Sequence, residues 1–315
     1  MSDASVNEKS VVAVVLNYRR PADTIDCIGS LQRTEGLKPE IIVVDNGSDD
    51  GSAERIAESF PAVQLIRNRS NLGYAGGNNV GIRDALKRGA EFVLVINNDC
   101  TIAPDALGRM VGAARARGAG IVSPKVYDFF KPEIIQYAGY RNIHLLAQGL
   151  PVGEGERDEG QYEREAEMSA APGCALLLSR RLLESVGLFD ELFFAYSEEL
   201  DLCRRALDAG YRILFVPSAH VWHRKAATLS PRSPEYTYYL TRGRLIYARK
   251  HLGWSAFLLV FLPYFVVAKM IKPAVVFALL GRPRNISALL SAVWWNVRNR
   301  LSRELFMNNN TQPRI

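Results

Sequence analysis

The sequence has no closely spaced cysteine pair. Its four cysteines, Cys27, Cys100, Cys174 and Cys203, lie far apart with no CxxC among them, which argues against a zinc ribbon or a disulfide framework and for a reducing compartment. The first ten residues, MSDASVNEKS, lack the apolar centre of a secretion signal, so a cytosolic working face is expected. No GxGxxG fingerprint follows the first strand-like run, and the loop there, NYRRPAD, has no glycine; a dinucleotide-binding reductase is disfavoured. A 20-residue apolar stretch free of charge is missing too. The run WSAFLLVFLPYFVVAKMIKPAVVFALL (254–280) is interrupted by Pro263, Lys269, Lys272 and Pro273, so surface-lying or re-entrant helices are expected in preference to one clean crossing.

What is present is ample for a packed core: 315 residues, 48% of them hydrophobic. The net charge of +6 conceals two halves. From Arg224 onward there are 15 Lys and Arg against Glu235 and Glu304, a balance of +13, whereas residues 1–223 carry 24 bases and 31 acids, a balance of −7. Because the basic part is threaded with the apolar run, it suits an anionic membrane surface better than nucleic acid.

Val- and Ile-rich runs, VVAVVLNY (11–18), EIIVVDN (40–46), VQLIRN (63–68), EFVLVINND (91–99) and GIVSPKVY (120–127), alternate with helical patterns. That beat predicts an α/β fold with a mainly parallel sheet covered on both faces. From about residue 128 it fails, and GEGERDEGQYEREAE (153–167) reads as a mobile surface loop. It resumes with CALLLS (174–179), a helix from SEELDLCRRALDAG ending at Gly210, and the strand YRILFVPSAHVWH (211–223).

Ligands of open α/β sheets collect at the carboxyl ends of the strands, and several polar residues sit there. Asp45 ends the second strand before NGSDDGS; it either reads a nucleobase N–H or caps the next helix. NRSNLGYAGGNNVGI (68–82) offers glycines for close backbone approach and a helix N-terminus with free N–H groups for phosphate or ribose. In INND, Asn97 and Asp99 stand two apart, on one side of an extended chain, with Asp99 the candidate ligand for Mg²⁺ or Mn²⁺. Cys100 beside it is expected to pack inward. Glu198, Glu199 and Asp201 open a helix, where acids complement the macrodipole or supply a general base. Arg204 and Arg205 follow at ion-pair spacing. His220 and His223 face opposite sides of a strand, so only one can look into the site.

Read in order, the stretches VVLNYRRPADTIDCIGSL, IIVVDNGSDDGS, NLGYAGGNNVGI, VLVINNDCTIAPDAL, GLFDELFFAYSEELDLCRRALDAGYRI and HVWHRKAATLS resemble the inverting family 2 glycosyltransferases with the GT-A fold, especially the rhamnosyltransferase-like branch. The resemblance covers residues 11–250. It implies a base pocket from Asn17, Tyr18 and Asp45, with Asn71, Gly73 and Asn78 near ribose or diphosphate. Asp99 matches the last acid of a DxD motif whose first acid is Asn97 here, and His223 matches a histidine that completes the metal site with Mg²⁺ or Mn²⁺. The usual base is an aspartate; that position is Glu199, with Glu198 or Asp201 as substitutes.

The implied organisation is a disordered tail (1–10), a GT-A domain (11–235, with nucleotide-sugar half 11–127 and acceptor half 128–235), and a basic, apolar helical region (236–315). The implied reaction moves a sugar, rhamnose favoured, from a dTDP- or UDP-sugar to a lipid-linked saccharide at the cytoplasmic side of the plasma membrane. A homo-oligomer is compatible with this reading. The rivals are a sugar nucleotidyltransferase, which should carry a glycine-rich basic first loop, and an inactive membrane scaffold of the same fold.

Overall fold

The computed structural model describes residues 11–224 and 233–299. The expected tail 1–10, the end of HVWHRKAATLS and the last residues of the basic region lie outside these. The strands are β1 (Val11–Asn17), β2 (Glu40–Asp45), β3 (Gln64–Arg67), β4 (Phe92–Asn97), β5 (Cys100–Ile102), β6 (Ala119–Asp128), β7 (Ile135–Tyr137), β8 (Tyr140–Ile143), β9 (Gln148–Pro151), β10 (Ala166–Glu167), β11 (Ala175–Ser179) and β12 (Arg212–His223). The helices are α1 (Pro21–Gln32), α2 (Ser52–Ser59), α3 (Gly73–Lys87), α4 (Ala106–Arg117), α5 (Arg180–Val186), α6 (Glu198–Asp208), α7 (Pro234–His251), α8 (Trp254–Leu279) and α9 (Pro283–Arg298).

One mixed sheet runs in the order β10-β12-β6-β11-β4-β1-β2-β3. β4, β1, β2 and β3 are mutually parallel, as are β12 and β6, while β11 lies antiparallel between β4 and β6. The apolar strands are buried on both faces, as a helix-covered sheet requires. Val12, Val14 and Val95 join α3, α5, α6, α7 and α8 in one core, and Val11, Val15 and Leu94 join α1, α2 and α4 in the other.

Two expectations need correction. Residues 128–175 are not simply irregular: β7 extends the sheet and β8 and β9 form a separate hairpin. Segment 153–167 does not stand free, because the fully buried Lys125 ammonium donates to Asp158 at 3.0 Å and Glu163 at 2.5 Å, and Tyr127 donates to Asp158 at 2.5 Å. α7, where the expected basic, apolar helical region 236–315 begins, packs into the core through Leu245, Ile246, Tyr247 and Ala248.

The apolar run is not broken into short helices either. Pro263 and Pro273 sit within one continuous 26-residue helix whose wide π-helical turns, Phe257–Phe261 and Phe265–Ile271, flank the proline positions. By length and composition it is able to cross a membrane. Phe261 and Phe265 are nevertheless buried in the body's core, while Leu259, Val267, Ile271 and Leu279 are exposed.

Candidate active site

Parallel pairing sets Asn17 beside Asp45 at the tips of β1 and β2. Asn17 donates to Asp45 Oδ1 at 2.7 Å and accepts from Thr24 at 2.7 Å, and Asn98 donates to Thr24 at 3.0 Å. The Ser48 N–H reaches the other Asp45 oxygen at 3.0 Å. The Asp45 carboxylate is thus engaged rather than free, and it does not cap α2, which Gly51 opens. Asn17 is fully buried and acts by orienting Asp45. Tyr18 is half-buried at the rim, with the Arg19 guanidinium 5.2 Å from its ring centre.

The glycine-rich segment behaves otherwise than expected. The first N–H groups of α3 are not open to phosphate, because the Phe194 carbonyl accepts from Tyr74 at 2.6 Å and from Ala75 at 3.3 Å. Gly73 has φ +73°, and a Cβ there would lie 2.4 Å from that same carbonyl; the close approach is made by protein. Asn71 accepts from Gly73 N–H at 2.8 Å and from Asn46 at 3.0 Å, and Asn78 donates back to the Tyr74 carbonyl at 2.9 Å. The organiser is Asn46, which also accepts from Asn68 and from Leu72 N–H. Its only sequence signal is its place in the DNGS turn.

Asn97 ends β4, but Asn98 and Asp99 form a turn into β5, so the extended-chain alternation of Asn97 and Asp99 does not hold. β5 pairs antiparallel with β12, setting His223 opposite Cys100 and bringing His223 Nε2 to 3.2 Å from Asp99 Oδ1. Gln136 fixes the ring: its Oε1 lies 3.0 Å from His223 Nδ1 while its Nε2 donates to the His223 carbonyl at 2.8 Å. With the Nδ1 proton directed at Gln136, Nε2 turns a lone pair toward the carboxylate, an arrangement that fits a hard divalent cation. Cys100 is close enough to join this group, but its thiol is fully buried and points to the Cys174 carbonyl at 3.6 Å. Burial pushes its pKa well up, so it stays a neutral thiol. His220 is elsewhere, lining a cavity of about 430 Å³ with Tyr127 and Trp222. Gln136 was invisible in sequence because it lies in the irregular stretch, 87 residues from its partner.

The third group opens α6. The turn before it is strained: Phe194, Tyr196 and Ser197 have φ of 62°, 67° and 76°, a region costly for residues other than glycine. Glu198 is 5% exposed, and burial, reinforced by Glu199, pushes its carboxyl well above the usual range. Glu199 is partly exposed; burial raises it to about 7, against backbone N–H groups at the helix start that pull it down. Asp201 does not join them. Its carboxylate, fully buried, bonds Arg205, Lys250 and His251 at 2.8 Å each, and these partners, Arg205 first, outweigh burial and hold it well below the usual range. Arg204 pairs onward with Asp208.

Two residues join the start of α6 to the Asn97–Asp99 turn. A Cβ on Gly173 would lie 3.7 Å from Glu199 Cβ, and the Gly173 carbonyl accepts from Tyr74 at 2.5 Å. The next carbonyl, of Cys174, accepts from Asn97 N–H at 2.8 Å. Glu199 and the Asn97–Asp99 turn therefore flank one short strip of backbone.

Among solved structures the fold is similar to GalNAc-T7 with UDP, GalNAc and Mn²⁺ (TM-score 0.62, 15% identity, 76% of this chain and 47% of that one). It is also similar to the Pyrobaculum calidifontis mannosyltransferase PcManGT in complex with GDP-Man and Mn²⁺ (TM-score 0.54, 18% identity, 92% and 75%). This chain spans about half of the first. Among curated proteins, the N-acetylglucosaminyl-diphospho-decaprenol L-rhamnosyltransferase of Mycobacterium tuberculosis is 28% identical over 72% of this chain and 80% of its own length. The low-salt glycan biosynthesis hexosyltransferase Agl10 of Haloferax volcanii is 29% identical over 61% and 60%. The model of the family "Glycosyl transferase family 2" matches residues 10–187, more than half of the 315. The mixed GT-A-like sheet and this match give one conclusion: the chain belongs to glycosyl transferase family 2.

Proposed function

We propose that this glycosyltransferase works by inversion, moving a sugar, rhamnose favoured, from a dTDP- or UDP-linked donor to a lipid-linked saccharide, and that it does so at the cytoplasmic membrane surface. The observation that carries the reading is the backbone strip Gly173–Cys174, with Glu199 against one end and the Asn97–Asp99 turn against the other. A single displacement needs that opposition: a base on the acceptor oxygen and charge stabilisation at the departing diphosphate.

In this scheme Asp45, held by Asn17 and Ser48, orients the nucleobase, and Tyr18 lies at the pocket rim. Asn71, Gly73 and Asn78 shape the wall behind it. Asp99 and His223 hold Mg²⁺ or Mn²⁺, which when bound offsets the negative charge of the leaving nucleoside diphosphate. Glu199, with a carboxyl near 7, takes the proton from the acceptor hydroxyl. Neutral Glu198 lowers the charge beside it, and Asp201 serves the fold. The decaprenol-linked substrate in the mycobacterial relative's name and the charge-asymmetric apolar end of this chain support the acceptor and membrane parts.

The test is a transfer assay with dTDP- and UDP-sugars and a lipid-linked saccharide, following the nucleoside diphosphate released. Activity should vanish with EDTA and in Asp99→Ala. Glu199→Gln should lose transfer but retain metal-dependent donor binding. Transfer that persists in both variants would overturn the assignment.

A further inference from the structure

The basic side chains of α7 are almost all taken. Arg242 donates to the carbonyls of Leu192 and Phe193 at 2.9 Å each, Arg249 to that of Asn296, and Lys250 and His251 to Asp201. Arg244 makes no hydrogen bond or ion pair with any described residue, although it is partly buried. Its electrostatic neighbours are Tyr236, Tyr264 and Tyr140, with no acid among them, and burial disfavours its charged form. A desolvated guanidinium without an anion is costly, so an anion supplied from outside would be bound strongly.

Its position says which anion. One turn further along α7, the Tyr247 hydroxyl meets Asn142 at 2.6 Å and His144 Nδ1 at 3.0 Å, and from α8 the Tyr264 hydroxyl donates to Gln148 at 2.5 Å. Arg244 therefore stands where α7, α8 and the β8–β9 hairpin meet. The preceding residue, Gly243, lies beneath the strained turn: a Cβ there would be 2.5 Å from the Tyr196 carbonyl. Tyr140 is influenced electrostatically by Arg244 and by two acids, Glu199 and Glu154. Arg244 thus lies next in sequence to the residue under the turn that carries Glu199, and one turn from the residues that tie α7 to the hairpin.

We propose that Arg244 is the diphosphate-binding residue of the acceptor site, its planar fork, standing where α7, α8 and the β8–β9 hairpin meet, gripping the phosphates that join a saccharide to its lipid. This rests on the lipid-linked acceptor proposed above. Arginine suits the task because two parallel N–H donors match two phosphate oxygens, while a hydrocarbon tail leaving the site meets the apolar face of α8.

The experiment compares wild type with Arg244→Gln and Arg244→Lys in neutral detergent, using a short-chain prenyl-diphosphate-linked saccharide and an analogue with a neutral ether in place of the diphosphate. The glutamine variant should raise the KM of the diphosphate acceptor at least about 10-fold, with donor KM and donor-induced thermal shift unchanged, and the ether analogue should not distinguish the proteins. Lysine should rescue only part. With EDTA present to silence the donor site, inorganic pyrophosphate should raise the melting temperature of wild type and not of Arg244→Gln. Equal acceptor KM in the two proteins would overturn the proposal. So would a variant that keeps acceptor KM but loses binding to acceptor-free phosphatidylglycerol vesicles, since Arg244 would then read lipid headgroups. If wild type transfers to no lipid-linked saccharide yet shows the Arg244-dependent pyrophosphate shift, the acceptor reading fails and the anion site stands.

Discussion

At Glu199 the burial that raises the carboxyl to about 7 governs two pH responses of opposite sense. On the proposed assignment Glu199 is the base and must be ionised, so transfer should climb as pH rises through about 7 and level off above it, a profile that pH-dependent kcat measures directly. Stability runs the other way. The folded state binds this proton more tightly than the unfolded chain, so Glu199 lowers stability as pH rises from the unfolded value toward 7, and Glu199→Gln should be the more heat-resistant protein at pH 8. Asp201 is its opposite. Held low by Arg205, Lys250 and His251, it contributes stability that is full above about pH 4 and lost as pH falls through its depressed folded value. Asp201→Asn should cost ~3–5 kcal/mol in thermal unfolding, because the partly buried Arg205 and Lys250 lose their anion and His251 its carboxylate partner, while donor affinity of the folded protein is kept. Spacing alone did not separate the three acids, although the resemblance favoured Glu199. What separates them are partners about 50 residues away on α7, and no local pattern reveals those.

Among the elements, the strands were the most legible, since Val- and Ile-rich runs buried on both faces leave a continuous apolar signature. The β8–β9 hairpin left none: its short strands are half-buried and carry Arg141, Asn142 and Gln148 among apolar residues. The glycines of α3 announced a close approach but not what approaches. At Gly77 and Gly81 it is Leu16 and Val14 of β1, each 2.5 Å from where a Cβ would stand. The helix with most leverage on chemistry is α7. In Gly243→Ala the new methyl meets the Tyr196 carbonyl at 2.5 Å, backbone that cannot swing aside. The turn carrying Glu198 and Glu199 must shift, and kcat should fall at least ~10-fold with donor KM little changed. Gly112→Ala, on the exposed face of α4 with nothing within 4 Å, is the control, stabilising by up to about 1 kcal/mol without touching kcat.

Across the whole molecule, charge and apolar surface are distributed on one plan. Residues 1–223 are acidic by 7 charges and the remainder basic by 13. On the proposed membrane role, anionic phosphatidylglycerol vesicles should bind the full chain, more weakly at high salt. Leu259→Glu with Val267→Glu, on the exposed side of α8, should cut co-sedimentation more than 10-fold, since each apolar side chain withdrawn from water contributes about 1.5–3 kcal/mol. The asymmetry was readable from composition. That α8 is one helix with a face sealed by Phe261 and Phe265 was not, because proline in a sequence signals a break whether or not wider turns absorb it.

That sealed face fixes a height. With α8 seated on the core through two phenylalanines and α7 packed beneath the turn that carries Glu199, the apolar stripe and Glu199 are tied to one packed core. On the proposed reading the protein is a ruler held against the membrane. It would elongate only glycans whose growing end stands at that one elevation, and a chain already lengthened past it would be out of reach however well its terminal sugar fits.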